Sequence, residues 1–208
     1  MTTTRRVDVY SSSGYIVSVT EPCRKHEDTS FSAKLERMKQ RFDQAGTIHS
    51  VEAVILTHSH HHPHVVLLEV AMGSQKHFRL PGGKCPRDAA TTGESEVDSL
   101  KRKLRKKLFS NVPEGQPLPF RVGELLATWT RPNFESLMSP YKPPHVTREK
   151  EVRSVYLVHL EPDVTFTVPG HLRVVIAPLF DLYDNAARYG HVIAGVPHAL
   201  SRIQVNYC

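Results

Sequence analysis

Near-continuous and alternating apolar runs mark strands along this chain, and apolar residues at three-and-four spacing mark two helices. VDVYSSSGYIVSV (7–19) reads as two β-rich stretches joined by a Ser-Gly turn. Phe31, Leu35, Met38 and Phe42 recur at helical spacing, with Asp28, Thr29 and Ser30 able to cap the start and Gly46 beyond the end. VEAVILT (51–57) and HVVLLEV (64–70) are rich in β-branched and aliphatic residues and flank SHHHP, which predicts a hairpin. Their almost unbroken apolar character predicts strands covered on both faces, hence a sheet packed between helices.

HFRLPGG (77–83) predicts a short strand ended by a Pro-Gly-Gly break. Glu94 to Phe109 predicts a second helix, whose Val97, Leu100, Leu104 and Leu108 make one apolar stripe. Residues 110–119 read as a loop. RVGELLATW (121–129), EVRSVYLVHL (151–160) and LRVVIAPLF (172–180) read as further strands. Between the first two, RPNFESLMSPYKPPH carries four prolines, which exclude regular structure. VPHALSRI (196–203) is a short helix candidate, and the chain ends in a polar tail. The whole predicts one mixed α/β domain, with residues 1–46 as a helix-bearing N-terminal extension and 47–208 as the body.

Composition narrows the classes. With 208 residues, 39% hydrophobic and 23% charged, the chain can bury a core without disulfides or metals. No apolar run is long enough for a membrane span or secretory leader, so a soluble protein without an N-terminal sorting signal is expected. Cys23, Cys85 and Cys208 are odd in number and lack CxxC spacing, which fits a reducing compartment better than a disulfide scaffold. The net charge of +6 is concentrated: KRKLRKK (101–107) holds six of the 27 basic residues, and the remaining 21 balance the 21 acidic ones. Such a run fits a nucleic acid, a membrane, an acidic ligand or a solvated helix face.

Several chemical candidates are weak. HSHHHPH (58–64) crowds five histidines into one predicted turn, whereas metal sites draw ligands from spaced, fixed elements; a polar hairpin turn is expected. No nucleophile elbow or Walker A spacing occurs. Cys85 stands beside Lys84 and Arg87, which can lower a thiol pKa, yet no partner histidine can be placed. Tyr156, Phe180 and Tyr183 can stack bases, but at strand spacing a core role is expected.

The strongest local signal runs from Leu80-Pro81-Gly82-Gly83 through Glu94 to a helix with Arg102 and Leu104, which resembles the Nudix box. That signature places glutamates on a loop–helix–loop, where they hold divalent metals that polarise a diphosphate and activate water. Here ten residues, not five, separate Gly83 from Glu94, and the three helix glutamates fall on Lys103, Lys106 and Lys107. Ammonium groups donate and cannot ligate a cation, so metal-dependent hydrolysis by that route is not expected, although the fold can persist.

Further segments widen the likeness: RMKQRFDQ, VEAVILTH, PHVVLLEV, FRLPGG, EVDSLKRKL, WTRPNFE, YKPPHVT, APLFDLYDNAARYG and LSRI. Together they resemble the small, Nudix-domain subunits of pre-mRNA cleavage factor Im, also called the cleavage and polyadenylation specificity factor subunit 5 family, from about Val7 onward. The resemblance implies a Nudix-type α/β/α sandwich with a mixed β-sheet and extensions at both ends, a catalytically silent homodimer, and no cofactor. It implies binding of UGUA-type motifs in single-stranded pre-mRNA, a larger partner subunit with an RNA-recognition motif, and a nuclear location. The alternative is a Nudix hydrolase or a nucleotide sensor for dinucleoside polyphosphates.

Residue by residue, the resemblance places the base-reading glutamate on Glu52, the aromatic pair on His77 and Phe78, with Leu80 beyond it, and the C-terminal Tyr-Gly on Tyr189-Gly190. A carboxylate accepts from base N–H groups, and rings stack bases. The family's helix arginine falls on Lys34, where phosphate attraction survives and bidentate contact is lost. Its acidic residue in the extension aligns loosely with Glu27 or His26.

Overall fold

A computed structural model describes residues 5–21, 30–72, 75–86 and 93–208. Its strands are β1 (Arg5–Val9), β2 (Ile16–Thr20), β3 (Ile48–Ser59), β4 (His62–Met72), β5 (Gln75–Arg79), β6 (Gly82–Lys84), β7 (Phe120–Arg131), β8 (Glu151–Leu160), β9 (Thr165–Pro169), β10 (Leu172–Pro178) and β11 (Ile203–Tyr207). The helices are α1 (Phe31–Ala45), α2 (Glu96–Leu108), and four short ones: α3 (Leu179–Leu182), α4 (Ala186–Tyr189), α5 (His191–Ala194) and α6 (Val196–Leu200).

The hairpin expected around the histidines forms, with Ser59 opposite His62. His60 and His61 both have positive φ, 50° and 61°, the paired left-handed conformation that lets a two-residue turn follow the strand twist. The described residues build a seven-stranded mixed sheet in the order β10-β4-β3-β8-β7, with β5 added to β4 and β6 added to β3. β3 and β8 run parallel; the other pairings within this sheet are antiparallel. The β3–β4 ladder ends at Leu56–Val65, and beyond it the two strands diverge. β5 fills the fork on the β4 side and β6 on the β3 side, joined through Leu80 and Pro81, whose carbonyl accepts from the Ala53 amide at 2.7 Å.

Both sheet faces are covered, as the apolar strands require. On one face Ala53, Ile55, Val66 and Leu68 meet Leu100, Leu104 and Leu108 of α2 and the Phe109–Phe120–Phe166 aromatics. On the other, Val54, Leu56, Val65, Leu67, Val155 and Leu157 meet Tyr189, Val192, Val196 and Leu200 from the C-terminal helices, together with Val7, Val9 and Ile203. Each buried Leu or Val contributes about 1.5–3 kcal/mol of transfer free energy, so the alternation fixes which way every strand faces. The layers form an α/β Nudix-type sandwich. No helix among the described residues is long and apolar enough to cross a membrane.

Four sequence expectations change. The polar tail is a strand: β11 pairs in parallel with β1, because Ile203 and Val205 alternate with polar residues and only one face meets the core. The Gly-Gly break resumes as β6. The second helix starts later than expected, with Ser95 as its N-cap: Ser95 Oγ accepts from the Asp98 amide at 3.1 Å, which leaves Glu94 outside the helix. Phe180 and Tyr183 are not core; they are 74% and 69% exposed around α3.

Candidate nucleic-acid interface

The fork between β3 and β4 brings together most of the singled-out residues. Glu52 pairs with Gly82 of β6, and Phe78 pairs with Glu69 of β4. Strand alternation puts Glu52 on the same face as Val54, and Phe78 and Leu80 pack into that same core. Gly82 makes the close pairing possible: at φ 151°, a Cβ there would sit 2.1 Å from the Val51 carbonyl oxygen and 2.7 Å from the Glu52 Cα. Only glycine fits.

Glu52 is not the ordinary exposed strand residue that its position alone suggests. Its carboxylate is 13% exposed and meets Arg153 of β8 at 3.1 Å. Arg153 also donates to Glu151 at 3.0 Å; Glu151 accepts in addition from Arg131 Nε at 3.0 Å and Ser50 Oγ at 2.8 Å. Charges therefore alternate along a buried chain, Glu52–Arg153–Glu151–Arg131. Burial alone would raise the Glu151 pKa; Arg153, Arg131 and the Ser50 hydroxyl outweigh it and hold the group at about 2. The Glu52–Arg153 pair responds unequally. Arg153, shared by two carboxylates, has its pKa raised despite burial. Glu52 is also raised, because burial outweighs the attraction of Arg153, with Lys107 and Arg79 adding smaller pulls downward.

On the same face of the sheet lies an aromatic pair. The Phe78 and Tyr189 rings are 5.0 Å apart and tilted by 48°. The Arg188 guanidinium stands over both, 5.8 Å from the Phe78 centroid and 5.0 Å from that of Tyr189. Asp181 of α3 accepts from the Tyr189 hydroxyl and from Arg188 at 3.2 Å. Burial and the Asp181 carboxylate push the Tyr189 pKa up to about 12, so it stays a neutral donor. Gly190 follows at φ 81°, turning the chain from α4 into α5.

The structure separates other residues. His77 and Phe78 do not make one platform, because neighbouring strand residues point to opposite faces; His77 lies on the α2 side with Arg79. Lys34 lies on α1, and its side chain is outside the described set; Glu27 and His26 lie outside the described residues. Cys85 is buried, and burial raises its thiol pKa, against the lowering expected from neighbouring cations. Of the histidine turn, His58 and His61 stack at 5.5 Å and Tyr207 packs edge-on to both, while His58 Nε2 donates to the Cys208 carbonyl at 3.0 Å. Sequence reasoning missed Arg153, Arg188 and Asp181. Arg153 stands in an apolar strand directly after Glu151 and one residue, a spacing that could have been read as a same-face ion pair.

A divalent metal at the helix does not fit these residues. Lys103 and Lys107 lie against β6: the Lys107 ammonium donates to the Gly82 carbonyl, and Lys103 methylenes lie 3.5 Å from where a Gly83 Cβ would be. Glu94 is engaged by Arg102 through two hydrogen bonds of 2.9 and 3.1 Å. Glu96 accepts from the Tyr156 hydroxyl at 2.7 Å. Among the described residues, no group of three or more His, Cys, Asp or Glu is placed to hold a metal ion.

The NUDIX_2 family model, described as nucleotide hydrolase, matches residues 5–203. The chain is 43% identical over 200 residues to the pre-mRNA cleavage factor Im 25 kDa subunit 2 of Arabidopsis thaliana, covering 96% of this chain and 95% of that protein. It is 36% identical to subunit 1 from the same plant, across 96% of this chain and 86% of that one. Against the cleavage and polyadenylation specificity factor subunit 5 of Dictyostelium discoideum it is 37% identical, covering 88% of each.

Proposed function

Because this chain belongs to the NUDIX_2 family, and within it to the 25 kDa subunits of pre-mRNA cleavage factor Im, we propose that it binds single-stranded pre-mRNA by sequence in 3′-end cleavage and polyadenylation. The observation that carries this reading is the fork face, where a nearly buried carboxylate and a tilted aromatic pair share one surface. Glu52 accepts from the N–H of a uracil or guanine edge, and the Phe78–Tyr189 rings offer faces and edges to a base. Leu80 supplies the apolar floor between them, and Gly190 lets the backbone approach without a side chain in the way. Phosphate attraction from Lys34 positions the strand without carrying sequence information.

In this reading the domain hydrolyses nothing. Hydrolysis of the Nudix type needs carboxylate oxygens on α2, and Lys103, Lys106 and Lys107 supply ammonium donors instead. The work of the fold passes from a diphosphate to base edges. The chain acts in the nucleus as a homodimer that holds two RNA motifs, gaining effective concentration for the second. It carries a larger subunit with an RNA-recognition motif. Residues 1–46 form the extension and 47–208 the Nudix body. The description of the family model supports one rival, a nucleotide hydrolase, whose mark is metal-dependent turnover of dinucleoside polyphosphates.

Competition binding tests the proposal: a UGUA-containing RNA against its scrambled counterpart, with a chelator present throughout. The expected result is strong preference for the motif, unchanged by the chelator. Equal affinity for both RNAs would overturn sequence reading. Turnover of a nucleotide panel on adding a divalent metal would restore the hydrolase.

A further inference from the structure

The fork has a second face. Opposite Glu52 and Phe78 stand His77 and Arg79 of β5, and along β6 lies one flank of α2 carrying Lys103 and Lys107, with Lys106 exposed on the next turn outward. Six basic residues of α2 are not equivalent. Arg102 is clamped by Glu94, Lys101 lies 3.7 Å from Asp98, and Arg105 donates to the Gln116 carbonyl at 3.0 Å. From Ser99 to Pro113 the chain carries no acidic residue, and the Glu94 carboxylate ahead of the helix acts on Lys103.

This flank communicates with the base-reading face. Gly82 and Gly83 have no side chains, so only a thin strand separates the lysines from Glu52. The Lys107 ammonium donates to the Gly82 carbonyl, and its charge lowers the Glu52 pKa through that strand, as does that of Arg79. On a helix, residues three and four apart lie about 5–6 Å from one another, which sets Lys103, Lys106 and Lys107 in one contiguous cluster.

We propose that the Lys103–Lys106–Lys107 flank of α2 is a phosphate track, on which RNA continuing from the bases held at Glu52 passes the half-buried Gly83 and lays down its backbone. The inference rests on the RNA reading given above and adds to it a second, sequence-independent contact surface. The favoured occupant is a polyanion with evenly spaced charges, because the flank offers point-charge ammonium donors. His77 on this same face gives the crossing strand a ring to lie against.

The test uses three full-length variants, the triple K103Q/K106Q/K107Q, the single K106E on an exposed side chain, and K101Q on the other flank. Each is titrated across salt with a UGUA tetranucleotide and with longer RNAs extended on one side of the motif. Each released single-strand phosphate contact contributes about 0.7 to the slope of log affinity against log salt. For one direction of extension, the triple variant should lose about 2 from that slope, and K106E should lose part of it, while K101Q keeps it. Tetranucleotide binding should be unchanged in K106E and K101Q. A wild-type slope in the triple variant, with motif preference intact, would overturn the track. So would an unchanged RNA slope accompanied by lost binding of a polyglutamate probe, which would assign the flank to an acidic protein. Loss of motif preference in the wild type is a separate outcome that overturns the RNA reading itself.

Discussion

At the scale of single residues, Glu52 and Glu151 show opposite settlements of burial and charge. Glu52 has one guanidinium against nearly complete burial, so its pKa rises; Glu151 has two guanidinium partners and a hydroxyl, so its pKa falls to about 2. A carboxylic acid with a raised pKa takes its proton at a higher pH than an exposed glutamate. Motif preference should therefore weaken on mild acidification, above the usual carboxylate range, and E52Q should flatten that pH dependence while keeping most non-specific affinity. Fluorescence anisotropy of matched and scrambled RNA across pH reads both quantities; a pH profile identical in E52Q and wild type would exclude Glu52 as the titrating acceptor. Glu151 is the reverse. Its depressed pKa contributes stability in full above the unfolded value of 4.5, and that contribution is lost as pH falls toward about 2. E151Q should cost about 3–5 kcal/mol at neutral pH, because buried Arg131 loses its carboxylate partner and Arg153 keeps only Glu52. Denaturant melts should show its deficit narrowing between pH 4.5 and 2.

At the scale of elements, β6 joins everything that the candidate site needs. Its three residues pair with β3, hold Glu52 in register, and accept the lysine flank of α2. G82A would drive a methyl carbon into the Val51 carbonyl, so β6 must move away from β3. The expected result is a loss of motif preference together with a lower melting temperature. Hydrogen exchange should quicken at the β3 amides near Glu52 while α2 stays protected by its Leu100–Leu104–Leu108 stripe. Unchanged exchange at these β3 amides in a folded G82A would contradict the placement. Most elements were legible in the sequence, since apolar period alone marks α1, α2, β3, β4, β7, β8 and β10. β11 was missed because its alternation, with one face half-covered by β1, is weak in a five-residue segment. The fork was invisible, because it depends on where two strands separate, and no residue pattern records that.

At the scale of the whole molecule, the candidate site divides along the same line. Glu52, Phe78, Leu80 and Tyr189 were nameable from the family resemblance, and the fold brings them to one face. Arg153, Arg188 and Asp181 were not, because they come from β8, α4 and α3 and meet only through the tertiary fold. His77, paired with Phe78 by the resemblance, lies on the opposite face of β5. The sandwich thus presents two chemically different faces around one fork, an aromatic–carboxylate face and a lysine face. In the proposed reading, the lysine face attracts phosphates and the aromatic–carboxylate face reads bases. The most direct measurement is a structure of the chain with a UGUA tetranucleotide. The expected result is a base edge about 2.7–3.2 Å from the Glu52 carboxylate, with a base against the Phe78–Tyr189 pair. RNA seated away from the fork, with Glu52 still closed on Arg153 and contacting no base, would contradict it.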